Sequence, residues 1–123
     1  MTKQVLVIDD DDGIREIVKL SLEAVADWQV LMAASGQAGI VIAQAQQPDL
    51  ILLDVMMPGE DGVAIFNQLQ ANPTTQAIPT ILLTAKARPS ERQELLATGV
   101  NGVIVKPFKP RDLVQQIKQL LAW

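Results

Sequence analysis

The sequence predicts an α/β fold in which five parallel strands form a doubly wound sheet with helices on both faces. Five short apolar runs alternate with longer segments whose apolar residues recur with helical period, which is the pattern of consecutive βα units. Three of the runs are apolar throughout, as strands covered on both faces should be. Because 123 residues suffice for one core of this kind, we expect residues 1–123 to form a single domain.

The elements follow one another in a regular order. The predicted strands are "VLVI" (5–8), "WQVLMA" (28–33), "LILL" (50–53), "TILLT" (80–84) and "GVIV" (102–105). Ser35 is placed to cap the second helix, which is rich in alanine, and Pro89 and Pro110 suit the first turns of the fourth and fifth helices. Gly99 suits a left-handed helix cap.

The first, third and fifth helices carry apolar stripes typical of helices that pack on a sheet. These stripes comprise Ile14, Ile17, Val18, Leu22 and Val25 in the first helix, Val63, Phe66 and Leu69 in the third, and Leu113, Ile117, Leu120 and Leu121 in the fifth.

The composition excludes several kinds of site. The chain contains no cysteine and no histidine, which rules out disulfides, thiolate zinc sites, and Ser-His-Asp or Cys-His catalysis. A formal net charge of −4 argues against a protein that binds the phosphate backbone of nucleic acids. No apolar run approaches the roughly 20 residues of a membrane span, and the N-terminus does not resemble a signal peptide. We therefore expect a cytoplasmic protein without a direct nucleic-acid or membrane partner.

Polar side chains follow four of the five predicted strands. Asp9 and Asp10 follow the first, Asp54 follows the third, Thr84 ends the fourth and Lys106 follows the fifth. In a sheet of order 2-1-3-4-5 the first and third strands are neighbours about 4.8 Å apart, so the three carboxylates converge. They would repel one another unless a cation lay among them. Because oxygen ligands alone favour a hard ion, the sequence predicts a Mg²⁺ site here.

The run of four aspartates also has an ordinary explanation. Such a run is more often a solvated loop and helix cap than a metal site, and Asp11 and Asp12 suit the start of the first helix. An EF-hand loop does not fit, because placing Gly13 at loop position six would put Ile8 and Lys19 at the first and last ligand positions. It is the shared location of the polar residues at one sheet edge that favours the metal site.

Four segments carry a resemblance to a known family. In this order and spacing, "VLVIDDDDGIR", "PDLILLDVMMPGEDG", "IPTILLTA" and "VIVKPF" resemble the receiver domain of two-component response regulators, of the single-domain chemotaxis-regulator type. The resemblance covers the full chain and implies a flavodoxin-like fold. It also implies a phosphorelay signalling switch that catalyses only its own phosphorylation and dephosphorylation and is not a dedicated enzyme.

The resemblance implies a role for each polar residue at the sheet edge. Asp54 would be the phosphoacceptor, and the donor would be a phosphohistidine of a sensor histidine kinase or a histidine phosphotransfer protein. Thr84 and Lys106 would supply a hydroxyl and a cation to the phosphoryl oxygens. The Mg²⁺ ligands would be the carboxylates of Asp9, Asp10 and Asp54 and the backbone carbonyl of Met56.

The resemblance further implies two partner surfaces. Docking of the kinase or phosphotransfer protein would use the start of the first helix, around Ile14 and Ile17, and the loop after Lys106. A downstream effector or a second copy would bind through the fourth helix, the fifth strand and the fifth helix.

The chain departs from the family pattern at three positions. Many receivers carry Tyr or Phe three residues before the lysine, and this chain has Val103 there. The aromatic side chain whose rotamer reports phosphorylation is therefore missing. Met56 and Lys86 stand where many relatives carry polar groups that position the hydrolytic water, which affects the lifetime of the phosphorylated form.

Three other functions fit the sequence less well. A phosphatase of the haloacid dehalogenase type also uses an aspartyl nucleophile and Mg²⁺, and Asp9 and Asp11 have its spacing. The Gly-Thr that should follow them is missing. An FMN carrier of the same topology needs a hydroxyl-rich phosphate loop, where four aspartates would repel the phosphate. A degenerate receiver kept for dimerisation should have lost a pocket residue, and none is lost.

Overall fold

The computed structural model describes residues 2–86 and 88–123. Five parallel strands form one sheet, and five helices connect and cover them. The strands are β1 (Gln4–Ile8), β2 (Gln29–Ala33), β3 (Leu50–Asp54), β4 (Thr80–Thr84) and β5 (Gly102–Val105). The helices are α1 (Asp12–Ala26), α2 (Gly36–Gln46), α3 (Gly62–Ala71), α4 (Pro89–Leu96) and α5 (Pro110–Leu121). The strand order is β2-β1-β3-β4-β5, which confirms the predicted topology.

The sheet is buried on both faces because its strands are apolar at nearly every position. Alternate side chains of a strand point to opposite faces, so in β1 Val5 and Val7 join one core cluster whereas Leu6 and Ile8 join the other. The first cluster includes residues of α1 and α5, and the second includes residues of α2, α3 and α4. This arrangement leaves the carboxyl edge of the sheet as the place where the polar strand ends meet.

The helix boundaries follow the predicted signals. The side chain of Asp11 accepts hydrogen bonds from two amides in the first turn of α1, so this aspartate is an N-cap. Ser35 caps α2 in the same way. Pro89 and Pro110 open α4 and α5. Gly99 has a φ of 102°, but the predicted left-handed cap is not found there, since α4 already ends at Leu96 and its C-cap is Ala97 in the right-handed region. In the described part of the chain, no helix is long and apolar enough to cross a membrane.

Part of the predicted apolar stripes is not buried. In α1, Val18 and Leu22 are fully buried, but Ile17 and Val25 are 44% and 43% exposed, and Leu120 of α5 is 40% exposed. The interpretation of these three as core residues is therefore wrong. Ile17 lies about 100° around the helix from Val18, and the other two lie in the last turns of their helices, where fewer neighbours surround a side chain.

Candidate functional site

The carboxyl edge of the sheet forms a cleft of about 240 Å³. The structure brings together here the residues that the sequence placed at the strand ends. Asp9 follows β1, Asp54 ends β3, Thr84 ends β4 and Lys106 follows β5. Because parallel strands end at the same edge, four separate segments deliver one side chain each. The lining consists of Asp9, Asp10, Asp11, Asp54, Met56, Thr84, Ala85 and Lys106.

Lys106 joins two of the carboxylates. Its Nζ donates hydrogen bonds to Asp9 Oδ2 at 2.9 Å and to Asp54 Oδ1 at 3.1 Å. Asp9 is fully buried and Asp54 is 6% exposed, so both carboxylates are largely shielded from water. The Lys106-Pro107 peptide bond, which leads into the loop before α5, is cis. The ammonium group therefore neutralises part of a buried acidic cluster.

The three aspartates form a group that could hold a metal ion. Asp9, Asp10 and Asp54 each offer one carboxylate oxygen, and these oxygens all lie within 4.8 Å of one another. Three carboxylates and one lysine leave a local charge of about −2 when all are ionised. Because every donor is a carboxylate oxygen and the excess charge is negative, the residues present fit a hard divalent cation such as Mg²⁺.

The pKa values of two groups reflect this crowding. Burial raises the pKa of the Asp54 carboxyl, the nearby Asp9 carboxylate raises it further, and the hydrogen bond from Lys106 opposes both. Burial by itself would lower the pKa of Lys106, but the hydrogen bonds and charges of Asp9 and Asp54 outweigh it, and the pKa is raised. The lysine therefore stays protonated, and the ionised form of Asp54 needs a cation nearby.

The first loop of the site is held by its own backbone and by Arg15. The amide of Asp11 donates to Asp9 Oδ1 at 3.0 Å. The Arg15 guanidinium donates to the backbone carbonyl of Asp9 at 2.6 Å and pairs with Asp12. The sequence did not predict Arg15 as a site residue. Its spacing of three residues from Asp12 could have predicted the ion pair with Asp12. Its hydrogen bond to the Asp9 carbonyl could not be predicted in this way, because it depends on the path of the loop.

The remaining predicted residues lie at the rim of the cleft or near it. Thr84 is buried, and its Oγ1 accepts a hydrogen bond from the amide of Lys86 at 3.0 Å. The amide of Met56 donates to Asp54 Oδ1 at 3.4 Å, while the Met56 side chain is 68% exposed. Lys86 lies with Met56 in a neighbouring depression. Val103 is buried in the core, so no aromatic ring is available to change rotamer at that position.

The loop between β3 and α3 contains a feature that the sequence did not predict. Met56–Met57 and Glu60–Asp61 form a short antiparallel ladder. The loop closes on the end of β3, since the amide of Gly62 donates to the carbonyl of Val55 at 2.8 Å. A Cβ at Gly62 would lie 2.7 Å from Val55 Cα and closer still to the Asp54 carbonyl oxygen. Only glycine allows this close return of the chain.

Comparison with known proteins places this geometry in a family. The family model described as "Response regulator receiver domain" matches residues 5–118. Among curated proteins, the chain is 38% identical over 119 residues to the phosphate regulon transcriptional regulatory protein PhoB of Pseudomonas aeruginosa. That match covers 97% of this chain and 52% of PhoB. The chain thus spans about half the length of the curated relatives it matches.

Solved structures show the same architecture. The chemotaxis response regulator CheY4 of Vibrio cholerae matches with a TM-score of 0.90 and 31% identity, covering 98% of this chain and 99% of CheY4. The receiver domain of the sensor histidine kinase PA1611 of Pseudomonas aeruginosa PAO1 matches with a TM-score of 0.86 and 25% identity over the full length of both chains. The PA1611 structure has a magnesium ion coordinated in its active-site cleft.

Proposed function

The chain belongs to the response regulator receiver domain family, and on that premise we propose that residues 1–123 act as one phosphoryl-accepting switch. Asp54 receives the phosphoryl group from a phosphohistidine of a sensor histidine kinase or a histidine phosphotransfer protein. The observation that carries the proposal is the position of the Asp54 carboxylate. It ends β3 in a cleft that also contains three further carboxylates and a lysine that donates to it.

The reaction needs the donor, this cleft with its ion, and a proton from water. A carboxylate oxygen of Asp54 forms a bond to phosphorus, the phosphorus–nitrogen bond of the phosphohistidine breaks, and the released imidazole takes a proton from water. Asp9, Asp10, Asp54 and the backbone carbonyl of Met56 would hold Mg²⁺, which when bound neutralises charge on the transferred phosphoryl group. The switch catalyses only its own phosphorylation and dephosphorylation.

Lys106 and Thr84 assist in this proposal. Lys106 donates to Asp9 and Asp54, and it would donate to an oxygen of a phosphoryl group bound to Asp54. The Thr84 hydroxyl, which ends the adjacent strand β4, would donate to another phosphoryl oxygen. Two donors aimed at one group stabilise the negative charge of the transition state and of the product.

An exposed apolar patch on α1 supports the proposed docking surface for the donor. Ile17 and Leu20 are 44% and 56% exposed. They line a shallow depression of about 300 Å³ together with Val25 and with Pro110, which follows the loop after Lys106. Such an apolar patch suits the apolar side chains of a helical partner. The proposed face for an effector or a second copy comprises α4, β5 and α5.

Phosphorylation by a small phosphodonor tests the proposed chemistry. After incubation with phosphoramidate and Mg²⁺, intact mass spectrometry should show one added phosphoryl group. Asp54→Asn and addition of EDTA should each abolish it. Asp112→Asn, which changes an exposed aspartate in the first turn of α5, should leave it unchanged. A phosphoryl group that persists in Asp54→Asn would place the acceptor elsewhere and contradict the proposal.

A second experiment tests the docking surface. Leu20→Glu should slow phosphotransfer from a phosphohistidine donor while leaving phosphorylation by phosphoramidate unchanged. A substitution of Arg15 is less informative, because that side chain bonds to Asp9 and would disturb the cleft itself. Equal slowing of both reactions by Leu20→Glu would mean that the patch supports the site and does not bind the donor.

A further inference from the structure

We infer that Glu60 is a positioning residue for this site, and that it acts by clamping the loop after Asp54 to the N-terminus of α2. The loop comprises residues 55–61 and is called here the acceptor loop. The inference rests on the function proposed above, because it concerns the Mg²⁺ ligand that the acceptor loop would provide. Glu60 itself lies outside the residues that line the cleft.

The clamp consists of two hydrogen bonds. Glu60 Oε1 accepts from the amide of Gly36 at 2.9 Å, and Glu60 Oε2 accepts from the amide of Gln37 at 3.3 Å. These are the first two residues of α2, whose amides have no partner within the helix. The third amide, that of Ala38, donates to the Ser35 hydroxyl at 3.2 Å. The start of α2 is thus capped by one local residue and by a second residue from a distant loop.

The surroundings of the carboxylate are built for this contact. The first turn of α2 contains no acidic residue of its own, so Glu60 supplies the negative charge that the positive end of the helix dipole favours. A Cβ at Gly36 would lie 2.8 Å from Glu60 Oε2 and 2.5 Å from Ile65 Cγ1. A side chain larger than hydrogen at position 36 would therefore push Glu60 away from the helix.

The clamp affects the site through the short antiparallel ladder within the acceptor loop. Glu60 pairs with Met57, and the neighbouring Asp61 pairs with Met56. The amide of Met56 donates to Asp54 Oδ1, and its carbonyl is the proposed Mg²⁺ ligand. The returning strand of the loop is thereby tied to a second helix, and this tie limits the positions that Met56 can occupy. A ligand held in place before binding loses less freedom when the ion arrives.

Mg²⁺ titrations of three variants test the inference without any phosphodonor. Binding would be followed by amide NMR shifts of residues 54–57. Glu60→Ala should weaken Mg²⁺ binding by about threefold to tenfold. This loss of affinity should not exceed the lower end of the range that is typical when a group hydrogen-bonded to a metal ligand is removed. Glu60→Gln, which keeps an acceptor oxygen without the charge, should give an intermediate dissociation constant. Amide hydrogen exchange at Gly36 and Gln37 should be faster in both variants.

Ser35→Ala provides the matched control, because it removes a cap from the same helix end without touching the acceptor loop. Ser35→Ala should lower the free energy of unfolding by about as much as Glu60→Ala does. It should leave the Mg²⁺ dissociation constant within about twofold of the parent. Equal Mg²⁺ binding by the parent and both Glu60 variants would show that Glu60 only caps α2. Equal weakening in Ser35→Ala would assign the effect to helix stability. A parent that does not bind Mg²⁺ at these residues would overturn the proposed function as well.

Discussion

Replacement of Lys106 by methionine should change stability and metal affinity in opposite directions. The substitution keeps an unbranched, flexible side chain and removes the ammonium group that lies 2.9 Å from Asp9 Oδ2 and 3.1 Å from Asp54 Oδ1. Both carboxylates are buried. In the variant without a metal, the two carboxylates would have lost the cation that they share. In the variant with Mg²⁺, no ammonium group would compete with the ion for these carboxylates.

The structure sets the size of both effects. Removing one partner of a fully buried ion pair costs about 3–5 kcal/mol. Because the Lys106 side chain is 17% exposed and the cleft is open, we expect a loss of about 2 kcal/mol in the metal-free protein. The site charge without metal changes from about −2 to about −3. A unit charge and a divalent ion about 5 Å apart at near-aqueous dielectric repel by about 1.7 kcal/mol, so Mg²⁺ should bind roughly fifteenfold more tightly.

Two measurements separate these effects. Urea unfolding can be followed by the fluorescence of Trp28 and Trp123, whose rings pack edge to face at 5.2 Å, in EDTA and in Mg²⁺. Calorimetry gives the Mg²⁺ dissociation constant. Lys109→Met, at the exposed N-cap of α5, is the control and should change neither quantity. If Lys106→Met binds Mg²⁺ equally or more weakly than the parent, the lysine and the metal do not compete for the same carboxylates, and the reasoning fails.

Three further predictions concern other parts of the site. The pKa of Asp54 is raised, which means that ionisation of this carboxyl destabilises the folded protein when no metal is bound. This loss of stability is absent below the ordinary pKa of 3.8 and develops as pH rises through the folded-state pKa. Asp54→Asn should therefore gain stability over the parent with rising pH in EDTA, and a pH-independent difference in urea unfolding would contradict this. Gly62→Ala should cost about 3 kcal/mol, because its Cβ would meet the backbone at the end of β3, and thermal unfolding no different from the parent would refute the close approach. The double variant Met56→Asn, Lys86→Glu should lose its phosphoryl group about tenfold faster, a barrier change of about 1.4 kcal/mol, because polar rim groups can hold the attacking water. Equal lifetimes by intact mass after removal of the donor would discard that idea.

The sequence alone determined the elements and the edge at which the site lies. Hydrophobic periodicity depends on residues a few positions apart, so the apolar runs located the five sheet strands, and the apolar stripes located α1, α3 and α5. The starts of α2 and α4 were indicated by Ser35 and Pro89. Caps are equally local, and Ser35 and Pro110 were placed correctly. Because Asp54 and Thr84 end their strands, a parallel sheet had to bring them to one edge. The family motifs then supported the strand order and indicated a role for each residue.

Only the tertiary structure decided which atoms meet at that edge. Lys106 donates to carboxylates 97 and 52 residues away, and Glu60 accepts from an amide 24 residues before it. Such contacts depend on strand register and loop path, which no local pattern encodes. The same is true of burial, since Ile17 lies on the apolar stripe of α1 and is nevertheless exposed. Local sequence specifies which residues form an element, whereas the contacts of a side chain depend on the elements that pack beside it and on the exact course of the loops between them.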